Sequence, residues 1–121
     1  MKITRGADTP SESAGADHFH GSVSRQDYGA FDQPEGTALH VSFPAGARSH
    51  WHSHPDGQLL YVTDGTGRVG TRDGTTAGIE AGDLVCAAPG EEHWHGASTD
   101  EPMRHLALSF GVTQWFEPVE D

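Results

Sequence analysis

The chain has 121 residues and 18 acidic against 7 basic side chains, for a formal net charge of −11. That size suits one domain with one core, and the charge argues against nucleic acid or anionic membrane partners. The single cysteine, Cys86, excludes an internal disulfide. The absence of an apolar leader or a membrane-length segment makes a soluble cytoplasmic protein the expectation.

Sixteen glycines and seven prolines punctuate the chain into short segments, which predicts strands joined by turns rather than long helices. Residues 1–18, rich in Ser, Ala, Gly and acids, read as a loose N-terminal arm or an extended edge segment. Residues 19–121 read as one domain. A first strand is expected over 19–23, and 27–36 reads as a loop. Residues 37–43 alternate, with Leu39, Val41 and Phe43 on one face, and Pro44-Ala45-Gly46 turns the chain. A strand through His50, His52 and His54 follows, then a Pro55-Asp56-Gly57 turn and a strand over 58–62. Asp64-Gly65 and Asp73-Gly74 mark turns around a short strand at 67–71. Further strands are expected at 76–79, 84–87, 93–97 and 104–110. In the last, His105, Ala107 and Ser109 share one face. Cys86 is expected in the core. Short strands at regular spacing imply a sandwich or barrel. Trp51 and Trp94 are expected on its outside, which suggests a homodimer or higher homo-oligomer.

Nine histidines are present, and their placement carries the chemistry. Residues at i and i+2 of a strand point to one face, so His52 and His54 can aim two imidazoles at one point. Gln58, after the turn, and the remote His93 complete a four-donor set of neutral groups. Three nitrogens and an amide oxygen suit Mn, Fe, Ni, Co or Zn. An amide offsets none of the metal's charge, so such a site keeps a strong Lewis acid. His95 is a further ligand or an acid/base, and His105 is placed to take a proton.

Gly46, His52, His54, Gln58 and Gly65, with Gly82, Pro89-Gly90 and His93, follow the two-part motif of the small single-domain cupins, with Gln in place of the usual Glu. Within that family the runs from Trp51 to Val69 and from Gly82 to Ala97 resemble the bacterial cupin hydroxynitrile lyases and their relatives near carboxymuconolactone decarboxylase. The resemblance implies an all-β jelly-roll barrel of two antiparallel sheets. It implies His52, His54, Gln58 and His93 as metal ligands, with manganese first and iron next. It places Leu39, Val41, His95, His105 and Ser109 in the substrate pocket. The lyases carry a smaller residue at the position of Leu39 and an amide at that of Ser109, so pocket size and polarity differ.

The expected function is a metal-dependent lyase acting on a small hydroxynitrile-like alcohol, with His95 or His105 as the base. The alternatives are an iron-dependent dioxygenase of a small dicarbonyl or aromatic substrate, and a non-catalytic metal- or small-molecule-binding protein.

Overall fold

Residues Met103–Phe110 alternate strictly between buried and half-buried positions, and this two-residue period organises the fold. In the computed structural model, which describes residues 4–32 and 35–120, every paired strand is antiparallel. Among the described residues no helix is long and apolar enough to cross a membrane. The strands are β1 (Ser11–Ser13), β2 (Phe19–His20), β3 (Ser24–Asp32), β4 (Glu35–Phe43), β5 (Arg48–Ser49) and β6 (His52–Ser53), followed by β7 (Gln58–Thr71), β8 (Thr76–Glu80), β9 (Leu84–Ala87), β10 (His93–Ala97), β11 (Met103–Phe110) and β12 (Gln114–Trp115). One sheet runs β1-β3-β4-β11-β7, with β9 on the far side of β7. The other is built on β7, β8, β10, β5 and β2, with β6 attached to β10 and β12 to β6.

Between the sheets lies a core of Val23, Val41, Phe43, Val62, Ala97 and Met103, each almost fully buried. Its inward positions come from the alternation of β4, β7 and β11, whose partners lie directly opposite one another and share a face.

β7 departs from the sequence expectation. No turn interrupts it at Asp64-Gly65; one 14-residue strand continues from the first sheet into the second. Gly65 has φ +78° and packs against the Pro102 backbone, a conformation and a closeness that a side chain would prevent. The adjoining register of β11 slips between Arg104 and His105. The glycine signal therefore marks a bend within a strand.

Residues 27–32, expected to be loop, belong to β3, which stays paired with β4 through a register shift between Asp27 and Ala30; positions 33 and 34 lie outside the described residues. Within the N-terminal segment, Ser11–Ser13 is an extended edge strand paired with β3, and Ala14 donates to the Val23 carbonyl at 2.9 Å and packs on the core. The strand expected through His50, His52 and His54 is broken into β5 and β6.

Cys86 is exposed rather than in the core. It shares the outward face of β9 with Leu84, while Val85 and Ala87 turn inward. Arginines of the same chain lie over both tryptophans. Trp94 is buried, with the Arg48 and Arg68 guanidiniums 5.8 and 5.5 Å from its ring centre, and Arg72 sits 4.2 Å from that of Trp51. Gly70, paired with Trp94, leaves room for the indole, which any Cβ there would overlap. Gly70→Val should therefore destabilise the protein by about 1–3 kcal/mol through overpacking, read as a lowered midpoint in urea unfolding.

Candidate metal centre and pocket

Four strands and the turn after one of them deliver the histidines and Gln58 to one place. β6 and the residue after it supply His52 and His54, the start of β7 supplies Gln58, β10 supplies His93 and His95, and β11 supplies His105. His52 and His93 are direct cross-strand partners, as are Gln58 and Ser109. All are buried. A cavity of about 170 Å³ is lined by His52, His54, Gln58, His95 and His105 together with Leu39, Val41 and Ser109. His93 stands behind it against Gln58 and His52. Depressions of about 460 and 470 Å³ that lie elsewhere contain no histidine.

Hydrogen bonds fix which nitrogen of each ring is free. His52 Nδ1–H donates to the His50 carbonyl at 2.9 Å, and His93 Nδ1–H donates to the Glu91 carbonyl at 2.9 Å. Each neutral ring therefore turns a bare Nε2 lone pair inward. Gln58 Nε2 donates to Ser109 Oγ at 2.9 Å, which aims Gln58 Oε1 at His93 Nε2, 3.0 Å away. Two acceptors face each other there with no proton to share. His54 Nδ1 meets Thr113 Oγ1 at 3.1 Å, and its buried Nε2 has no partner. Buried lone pairs of this kind are costly unless something binds them. Neutral imidazole and amide donors of this kind fit a divalent cation.

Donor atoms of His52, His93 and His95 all lie within 4.8 Å of one another, which makes His95 a candidate ligand as well as an acid/base. Without a metal it also joins a relay: His105 Nε2–H donates to His95 Nδ1 at 3.0 Å, and His95 Nε2–H donates at 3.2 Å to the His52 Nε2 lone pair, which a bound cation would take instead. This pattern leaves His105 Nδ1 bare, and that atom is buried without a partner.

Burial is the first cause of the low basicity of all five rings. It pushes His52 down to about 3, with help from the neighbouring His93, and His54 and His105 down to about 4. His93 is lowered too, and His95 falls well below the ordinary range, with His105 contributing. All five are neutral near pH 7, the form that binds metal.

Several supporting residues carried no sequence signal of a role at the site. Thr113 orients His54, and Ser49 Oγ accepts from the His95 backbone N–H at 3.1 Å. Trp115 lies 4.8 Å from the His52 ring and Phe43 5.2 Å from that of His105. His50, which shares sequence parity with His52, is only partly buried and contributes its carbonyl.

Comparison with known proteins agrees with this arrangement. The chain is 39% identical to the (R)-mandelonitrile lyase of Granulicella tundricola over 126 residues, covering 100% of this chain and 96% of that protein. A cupin-like protein from Thermotoga maritima superposes with a TM-score of 0.83 at 34% identity, over 90% of this chain and 86% of the other. An acetylacetone dioxygenase from Acinetobacter johnsonii shares the fold, with a TM-score of 0.77 at 13% identity, over 97% of this chain and 78% of the other. Residues 39–109, which hold all the metal-site candidates, match the cupin domain family. With its two histidine segments set on adjoining strands of a curled antiparallel sheet, this chain belongs to the cupin domain family.

Proposed function

We propose that the protein is a metal-dependent lyase that cleaves small α-hydroxynitriles to a carbonyl compound and hydrogen cyanide. The observation that carries the proposal is the His105–His95 pair, two buried, hydrogen-bonded imidazoles that line the same small cavity as His52, His54 and Gln58. The full-length similarity to an (R)-mandelonitrile lyase supports this choice of reaction.

In this reading His52, His54, Gln58 and His93 hold the metal, manganese in our proposal. When bound, the metal supplies Lewis acidity to the substrate hydroxyl. His105 Nδ1 accepts the hydroxyl proton, the carbon–oxygen bond becomes a carbonyl, and the carbon–carbon bond breaks with its electron pair leaving on cyanide. The imidazolium, which can share its charge with His95, returns the proton to cyanide. Leu39 and Val41 wall the pocket with apolar surface. Ser109 holds the Gln58 amide in orientation instead of reaching for substrate.

The test is cyanide release from mandelonitrile by metal-loaded protein. His52→Ala and chelation should each reduce both metal content and cyanide release to background. Metal-loaded wild type that releases no cyanide above the uncatalysed rate overturns the proposal.

The close grouping of His52, His93 and His95 favours a second reading, an iron-dependent dioxygenase. That reading requires substrate-dependent oxygen consumption by the iron-loaded protein.

A further inference from the structure

We infer that Arg25 makes this pocket selective for substrates that carry a carboxylate beyond the reacting hydroxyl. The inference rests on the proposed reading only for the hydroxyl's position beside His105.

Arg25 pairs with Val41 across β3 and β4, and Val41 pairs with His105 across β4 and β11. Directly opposed residues share a face, so Arg25, Val41 and His105 form one row along the inner wall. With strands about 4.8 Å apart, the Arg25 backbone stands about 10 Å from that of His105. Arg25 lines the cavity and, among the described residues doing so, has the only fixed charge. Every other polar lining group is an imidazole, an amide or a hydroxyl. A cation here stands out in a chain with a net charge of −11.

Its present partner extends the same row. Glu12 of β1 lies directly opposite Arg25, and its carboxylate accepts from Arg25 Nε at 3.2 Å. The two side chains are 37% and 54% exposed. Exposed pairs of this kind contribute little stability, so a ligand carboxylate can take the position of Glu12 at small cost. The planar guanidinium suits that anion. Val41 stands between the arginine and His105, and with Leu39, Phe19 and Trp115, which line the same cavity, it offers apolar contact to an aryl or short alkyl body.

The test uses metal-loaded full-length protein and two probes differing by one group, 4-(hydroxymethyl)benzoate and benzyl alcohol, with binding read by calorimetry. A charge-assisted hydrogen bond at this position corresponds to a preference for the acid of about 10- to 100-fold. Arg25→Gln should abolish that preference while leaving benzyl alcohol binding and metal content unchanged. Glu12→Gln should tighten binding of the acid by removing its competitor. The inference is overturned if the wild type binds the acid no better than the alcohol, or if the preference survives in Arg25→Gln. Cyanide release plays no part in this readout. An Arg25-dependent preference without mandelonitrile cleavage would retain the charge selection and refute the lyase, and the opposite result would do the reverse.

Discussion

His105→Gln is expected to lower the rate of cyanide release by about 10²- to 10⁴-fold, the usual contribution of a positioned general base, with metal content unchanged. His105 has no exposed surface, and its Nδ1 has no partner. Its only side-chain hydrogen bond among the described residues is to His95. Removing the ring therefore deletes a proton acceptor without disturbing the donors His52, His54, His93 and Gln58. A loss smaller than tenfold would show that the proton goes elsewhere. His95→Gln separates the two roles open to His95. Loss of metal would place it among the ligands, whereas loss of rate with metal retained would place it in the relay.

The second large effect concerns acid. The metal-free protein should unfold as the pH falls from about 6.5 toward 4. His52, His54 and His105 are neutral in the folded state, held down to about 3, 4 and 4 by burial, and titrate near 6.5 in the unfolded chain. Below about 6.5 the unfolded chain binds protons that the folded chain refuses, so stability present above that pH drains away as it falls. Each ring loses about 2 kcal/mol by about pH 5, or about 6 kcal/mol for the three, comparable with the whole stability of a small domain. Urea unfolding of metal-stripped protein at a series of pH values measures this. A stability that stays flat from about pH 7 to pH 5 would contradict burial of neutral imidazoles. Bound metal should move the loss to lower pH, because protons must then displace it.

Much of this site was legible before the fold was known. The spacing from Gly46 to Gly65 and from Gly82 to His93 marks the two strand–turn units, and the alternation of β11 separates His105, Ala107 and Ser109 from their outward neighbours. Other features depended on long-range packing. Asp64-Gly65 has the composition of a turn, but the backbone of Pro102 beside it makes it a bend inside β7. His50 has the same sequence parity as His52, yet the break between β5 and β6 leaves it on the rim. Cys86 lies among apolar residues, but alternation on β9 turns it outward. Arg25 and Thr113 sit in segments without a motif, and only the register of β3 against β4 and the path of the chain after β11 bring them to the cavity.

The unbroken β7 also bears on how the protein can be cut and rejoined. Its first half presents Gln58 and pairs with the strand of His105, while its second half pairs with the strand of His93 and His95. The two sheets thus share a covalent spine at the pocket floor and cannot open like a clam around it. New termini placed at the exposed Asp73-Gly74 tip should leave that spine whole. The same cut at Asp64-Gly65 would sever the floor from the wall and release the histidines of β10 from Gln58.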